Sequence, residues 1–210
     1  MPEYTFLRRT RGVVHVGANC GQERDIYASF GLHVVWLEPI PEIFDTLARN
    51  VSSYRKQRAY KYLIAEEDGK ECQFHVANNG GASSSILDLA KHQEMWPDVA
   101  FTRTFTLTSV TLCTAMKNER IDLDQYDVLV LDTQGSEQRV LTGAAPLLSK
   151  FRFVKVEVPD FESYEGCCQI EGLSAFMAAQ GFQEYRRIPF SHRPGLGTYY
   201  NVIYQKADRS

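Results

Sequence analysis

The chain has 210 residues, 44% of them hydrophobic, enough for one domain with a substantial core. Its formal net charge is −3 with Lys and Arg scattered, so no electrostatic argument favours a nucleic-acid duplex or an anionic membrane as partner. No apolar stretch approaches the roughly 20 residues of a membrane span, residues 1–9 lack a signal-peptide hydrophobic region, and five cysteines without a CxxC pair argue against a disulfide framework or a structural zinc site. Reduced thiols and a cytoplasmic location are therefore expected.

The apolar run Val13–Val16 predicts a buried first strand, and Gly17-Ala-Asn-Cys-Gly21 a turn of small residues. A helix from about Gly21 to Phe30 follows, with Gly31 as its cap, and then a strand over His33–Leu37. Pro41 opens a helix over Glu42–Asn50, with Ile43, Leu47 and Val51 on one side. Tyr60–Ala65 reads as a third strand, and Asp68-Gly69 as a hairpin turn into Glu71–Ala77. No period survives in residues 78–100, which open on a polar, glycine-rich run; a short helix is expected near Leu87–His92. Phe101–Thr111 alternates Thr with larger apolar residues, the period of a half-exposed strand. A helix near Cys113–Glu119 leads to a buried strand at Tyr126–Leu131, and Ser136–Leu148 is helical with an interruption at Gly143 and Pro146. Phe151–Val158 is a strand, Leu173–Gln180 a helix capped by Gly181, and the strands Phe182–Arg187 and Thr198–Gln205 close the chain around a loop over Ile188–Gly197.

This alternation argues for an α/β fold, a mostly parallel open sheet with helices on both faces. The last two strands have no helix between them and should be antiparallel neighbours. A single domain over residues 1–210 is expected, with residues 78–100 inserted as a lid over the site.

Three segments carry chemistry. The turn Gly17–Gly21 is not the GxGxxG of a dinucleotide site, whose second glycine makes room for a pyrophosphate. Ala18-Asn19 fills that place, and Asn19 can both donate to and accept from a charged amino-acid tail. Glu38 ends the second strand about 20 residues after the first glycine, the interval at which an acid holds ribose hydroxyls; a helix-capping acid is the plainer reading. Together these features favour S-adenosylmethionine over NAD. In Leu129-Val-Leu-Asp-Thr-Gln-Gly-Ser-Glu137, Asp132 ends a buried strand at the ligand-binding edge of the sheet. Glu137 falls in the first turn of the next helix, where the dipole favours an acid.

Val-Gly-Ala-Asn-Cys-Gly-Gln-Glu, Leu-Glu-Pro, Leu-Asp-Thr-Gln-Gly-Ser-Glu-Gln-Arg-Val-Leu-Thr-Gly-Ala and Lys-Val-Glu-Val occur in that order between about Val13 and Tyr204. This series resembles the FkbM family of S-adenosylmethionine-dependent methyltransferases, most specifically over Asp132–Ala144. The resemblance implies the Rossmann-like class I methyltransferase fold, a seven-stranded sheet with a reversed strand near its end. It also implies O-methylation of a hydroxyl on a small molecule or glycan. By motif, Gly17, Asn19 and Gly21 would line the methionine part of the cofactor, and Gln22 its carboxylate. Glu38 would hold the ribose, Pro39 and Ala65 would flank the adenine, Glu66 or Glu67 could reach its amino group, and Asp132 would lie near the transferable methyl.

A sugar hydroxyl is a poor nucleophile, so a general base is expected beside it. Candidates are Asp132, Glu157 and a histidine, His92 before His192; His15, His33 and His75 lie on strands and read as core or strand residues. Asp132 with Glu157 or Asp160 could hold a divalent cation, but the Asp-Asn pair of metal-dependent O-methyltransferases is missing, so no metal is assigned. The lid is expected to bind the acceptor through Asn78, Ser83, Ser84, Ser85 and Trp96, the plainer reading being a surface insertion anchored by Trp96. Residues 159–168, with Phe161 and Tyr164, would form the opposite wall. The competing functions are a non-catalytic nucleoside-binding module and an NAD-dependent oxidoreductase.

Overall fold

Residues 2–207 are described by a computed structural model; residues 1 and 208–210 of the expected domain lie outside them. After a 3-10 turn at Pro2–Leu7 the chain forms β1 (Gly12–Val16), α1 (Arg24–Ser29), β2 (His33–Leu37), α2 (Pro41–Val51) and β3 (Gln57–Tyr60). Next come β4 (Leu63–Ile64), β5 (Glu71–Ala77), α3 (His92–Met95), β6 (Phe101–Val110) and α4 (Leu112–Asn118). The remainder is β7 (Val128–Leu131), α5 (Glu137–Gly143), a 3-10 segment Ala145–Lys150, β8 (Phe153–Pro159), α6 (Ile170–Ala179), β9 (Phe182–Arg193) and β10 (Gly197–Lys206).

Seven strands form the main sheet in the order β3-β2-β1-β7-β8-β10-β9. The first five in that order pair in parallel, whereas β10 runs antiparallel to both β8 and β9. Burial on both faces explains why β1 and β7 read as unbroken apolar runs: each of their residues is buried. Val14, Val16, Leu129, Leu131 and Val154 pack with Leu112, Val140 and Leu173 of α4, α5 and α6 on one face. Val13, Trp36, Val128, Val130 and Phe153 pack with Tyr27, Leu47, Phe6 and Leu7 on the other. The class I methyltransferase fold expected from the sequence is thus the observed one.

The sequence reading needs four local corrections. The third strand is split: Gln57–Tyr60 extends the main sheet, whereas Leu63–Ile64 joins β5 and β6 in a separate three-stranded sheet. The first helix begins at Arg24, because Gly21 sits at φ +71° and holds the chain in a turn. Residues 188–197 are mostly strand: β9 and β10 form one long hairpin, with Pro189 on an edge strand where its missing N–H costs no ladder bond. The helix of the lid is His92–Met95, one turn later than expected.

Gly143, the last residue of α5, has a packing role. A Cβ there would overlap the carbonyl oxygen of Ala65 and crowd Glu66, so α5 meets the chain after β4 with only a hydrogen between them. Gly143→Ala is therefore expected to destabilise the protein by about 1–3 kcal/mol, as overpacking does, although alanine is the better helix former. Urea denaturation of the two proteins measures this; equal midpoints and slopes would refute the close packing.

Candidate active site

The order β2-β1-β7 means that the chain leaves β1 in one direction and returns beside it from the other, which opens a crevice at the carboxyl ends of β1 and β7. The backbone amides of Gly17 and Ala18 both donate to the Leu37 carbonyl, at 3.0 and 3.1 Å, and lay the turn after β1 across the end of β2. Gly17 has φ +79°, and a Cβ on it would overlap the carbonyl oxygen of Asp132. Glycine is required here by the neighbouring loop. Gly21 does not line the crevice; a Cβ there would lie 2.8 Å from Leu47 Cδ1, so it serves the packing of the turn on α2.

Glu38 is buried, with 4% of its surface exposed. Its Oε2 accepts from the Asn19 amide at 2.9 Å and its Oε1 from the Ile40 amide at 3.0 Å. Each oxygen keeps an acceptor position, so the pair is set to take two adjacent hydroxyls. Burial raises the Glu38 pKa to about 7, against the pull of those two amides. Asn19, at φ +42°, spends its side chain locally: Oδ1 accepts from the Cys20 amide and Gln22 Nε2, and Nδ2 donates to Gly80 in the lid.

A cavity of about 200 Å³ runs from Glu38 to Asp132. One end is apolar, walled by Pro39, Ile40, Leu63, Ile64, Phe74 and Ile86, and the other polar, with Asn19, Gln22, Glu23, Asp132 and Thr133. Ala65 is not part of the wall: its amide continues the β4–β6 pairing by donating to Val110, and Leu63 and Ile64 occupy the place expected for it. Nor does Glu66 reach the cavity; its Oε1 accepts from Lys70 Nζ at 3.1 Å.

At the polar end the loop after β7 is folded around the buried Glu137. Its carboxylate accepts from the amides of Thr133 at 2.8 Å and Gly135 at 3.0 Å, a structural role that leaves it outside the cavity. The loop sets Gln134 at φ +52°. Gln134 Nε2 donates to Asp132 Oδ1 at 2.6 Å and, more weakly, to Glu157 Oε1 at 3.4 Å, while its Oε1 accepts from the Tyr164 hydroxyl at 2.9 Å. Burial raises the Asp132 pKa to about 6; it also holds the Glu157 carboxyl well above the usual range, with the Asp132 charge adding to the effect. Gln134 lies within the motif read from the sequence but carried no assigned role there; only its contacts reveal one. Glu23 and His15 also line this end. His15 stacks on Trp36 with centroids 5.0 Å apart and meets the Tyr27 hydroxyl at 3.3 Å, and burial lowers its pKa to about 4.

The lid residues are mostly committed to structure. His92 is 2% exposed and does not line the cavity; its Nδ1 meets the Tyr199 hydroxyl at 2.9 Å and its Nε2 the Ser83 Oγ at 3.0 Å. That placement removes the expected base role of His92 and makes it a tie between lid and sheet. Ser85 Oγ donates to the Gln134 carbonyl at 2.7 Å, and Ser84 Oγ accepts from the Ala77 amide at 3.0 Å; of the three serines only Ser84 lines the cavity. Asn78 pins the two ends of the lid through Asp98 and Ala100, and Trp96 packs on His92 and Tyr199. His192 bonds Thr198 on the hairpin, and Asp160 accepts from the Thr198 amide and the Tyr200 hydroxyl, so neither joins Asp132.

The sequence pattern of the methyltransferase FkbM domain matches residues 15–184. The chain is 26% identical over 165 residues to the 2-O-methyltransferase NoeI of Sinorhizobium fredii (strain NBRC 101917 / NGR234), covering 73% of this chain and 65% of that protein, so it spans just under two thirds of that relative's length. Among solved structures, magnesium protoporphyrin IX methyltransferase (ChlM) from Synechocystis PCC 6803 with bound SAM superposes with a TM-score of 0.54 at 12% identity, over 96% of this chain and 72% of that one. The 1,6-didemethyltoxoflavin-N1-methyltransferase of Burkholderia thailandensis gives 0.53 at 13% identity, over 98% and 75%. At these identities the structural likeness shows the fold, and the domain match shows the family: the chain belongs to the FkbM methyltransferases, whose methyl donor is S-adenosylmethionine.

Proposed function

We propose that this protein transfers the methyl group of S-adenosylmethionine to a hydroxyl of a small molecule or glycan, with Asp132 as general base. The observation that carries this is the Glu38 carboxylate, braced by two backbone amides and facing the same cavity as Asp132. The residues present fit the donor: the apolar end offers flat walls for a purine, Glu38 two acceptors for the ribose, and Gln22 and Asn19 line the amino-acid end. When bound, S-adenosylmethionine supplies an electrophilic methyl carbon. The acceptor oxygen forms the new bond to that carbon as the carbon–sulfur bond breaks, and Asp132 takes the hydroxyl proton and later yields it to water. Gln134 orients the Asp132 carboxylate for this transfer, and the apolar walls exclude water. The 2-O-methyltransferase relative supports oxygen as the acceptor atom. No described helix is long and apolar enough to cross a membrane, and a cytoplasmic setting is part of this proposal.

Isothermal calorimetry tests the donor site. S-adenosylhomocysteine should bind, NAD should not, and Glu38→Ala should weaken the former by about 1–3 kcal/mol through lost buried hydrogen bonds. Unchanged affinity would refute the ribose assignment.

The base has a pH signature. Asp132 accepts a proton only when ionised, and its pKa is raised to about 6, so kcat/KM for the acceptor, measured with the donor saturating to mask the Glu38 titration near 7, should fall as pH drops through about 6. Asp132→Asn should lower kcat by about 100-fold or more and abolish that limb. His92→Phe should lower the melting temperature, through about 1–3 kcal/mol of lost buried hydrogen bonding, and leave the limb in place. A limb that vanishes in His92→Phe and persists in Asp132→Asn would reverse the assignment.

A further inference from the structure

The Gln134 side chain is a primary amide, a donor at one end and an acceptor at the other. In the site the two ends face different partners. Nε2 lies 2.6 Å from Asp132 Oδ1 and 3.4 Å from Glu157 Oε1, and Oε1 lies 2.9 Å from the Tyr164 hydroxyl. Turned over, the amide would set its oxygen against the Asp132 carboxylate, acceptor against acceptor, and the Asp132 charge would lose its donor. Which end faces Asp132 is therefore decided by what stands at the other end, and Tyr164 stands there.

Tyr164 is buried and locked in place. Its ring packs with Leu87 and Cys167 and lies 4.8 Å from the His92 ring, and a Cβ on Gly135 would come 3.2 Å from its Cβ. The loop that carries it pairs with the lid: the Ala90 and His92 amides both donate to the Ser163 carbonyl, and the Glu165 amide donates to the Asp88 carbonyl. The Tyr164 hydroxyl has one proton and two acceptors within reach, Gln134 Oε1 and, at 3.1 Å, the Ser83 carbonyl of the lid. Burial pushes its pKa up, so the group stays neutral and donates.

We propose that Tyr164 is a positioning residue for methyl transfer: by donating to Gln134 Oε1 it fixes the sense of the amide, so that N–H and not C=O meets the Asp132 carboxylate. The proposal rests on the reading of Asp132 as the base. It gives the tyrosine hydroxyl two settings. While Asp132 is ionised, the hydroxyl donates to Gln134. When the acceptor's O–H bond breaks and Asp132 takes that proton, the new carboxyl O–H donates to Gln134 Oε1. The amide then lies the other way, Nε2 donates to the tyrosine oxygen, and the tyrosine proton turns to the Ser83 carbonyl. Each setting pairs every donor with an acceptor along the chain Asp132–Gln134–Tyr164, and no covalent bond of Gln134 or Tyr164 changes.

The charges around Asp132 do not depend on that hydroxyl. A second cavity, of about 180 Å³, adjoins the first; His15, Glu23 and Asp132 line both, and Lys155, Glu157 and Asn201 line the second. Glu137 of α5 and Glu38 across the first cavity also feel the Asp132 charge. Burial raises the Asp132 carboxyl, Glu23 adds to this, and the Gln134 bond and the Lys155 charge work against it. Tyr164→Phe removes no charge, so a change in the Asp132 titration reports on the amide.

The test is a carbon-13 nuclear magnetic resonance titration of ligand-free protein labelled at aspartate Cγ, with Asp132→Asn identifying the signal. Tyr164→Phe keeps the ring and should raise the Asp132 midpoint by about half a pH unit or more, the equivalent of one weakened hydrogen bond. Gln134→Leu should raise it at least as far, and adding Tyr164→Phe to Gln134→Leu should move it no further. A midpoint unchanged in Tyr164→Phe, or shifts that add in the double variant, would overturn the proposal. A second measurement needs no variant to fold: in wild-type protein labelled at tyrosine Cζ, the Tyr164 signal should move with the Asp132 midpoint, and a signal that ignores that titration would overturn the proposal equally. Failure of wild-type protein to bind S-adenosylhomocysteine would instead sink the methyl-transfer reading, on which the role of Tyr164 rests, whatever the titrations show.

Discussion

The site depends on one steric contact, the abutment of the Gly17 turn against the backbone of Asp132. The two loops leave parallel neighbouring strands and meet with no side chain between them. That contact ties together the two ends of the cavity. On one side the Gly17–Asn19 turn hangs from the Leu37 carbonyl and braces Glu38. On the other, Asp132 is presented at the end of β7, with its carboxylate held by Gln134. Because both strands are buried in a stiff sheet, the spacing between Glu38 and Asp132 is set largely by the backbone.

Around this contact the protein buries an unusual number of acids. Glu38 and Glu137 are almost fully enclosed, and Asp132 and Glu157 adjoin the cavities. Desolvation pushes all four carboxyls up. Two of the four use backbone amides to limit the cost: Glu38 through Asn19 and Ile40, Glu137 through Thr133 and Gly135. Asp132 instead relies on a single side-chain donor, Gln134. A carboxyl that keeps free acceptor positions facing a cavity suits proton transfer better than one fixed by several amides. Glu137 and Asp132, five residues apart, thus differ in what surrounds them: one is enclosed by amides outside the cavity, the other lines it.

The lid also divides along physical lines. Its histidine, two of its serines and its tryptophan hold the insertion against β10 and the loop after β7. What it presents to the cavity between Glu38 and Asp132 is Gly81, Ala82, Ser84 and Ile86, a small and mostly apolar surface. It offers the cavity few groups able to hydrogen-bond.

Local chemistry in the sequence was enough to determine the parallel core, the antiparallel end and the identities of Glu38 and Asp132. Unbroken apolar runs mark strands buried on both faces, and an acid ending such a run has few reasons to be there. Glu38 and Asp132 were readable because each directly follows a buried apolar strand. Pairing across the sheet was not readable in this way. Lys155 and Asn201 are 46 residues apart on antiparallel strands, and Gln134 acquires its partners from β8 and from the loop carrying Tyr164. Nor could periodicity show that His92 would be enclosed between Ser83 and Tyr199, since a histidine in an irregular segment looks the same whether exposed or buried. Those decisions belong to tertiary structure, because hydrogen-bond saturation and burial are properties of what surrounds a side chain and not of the chain on either side of it.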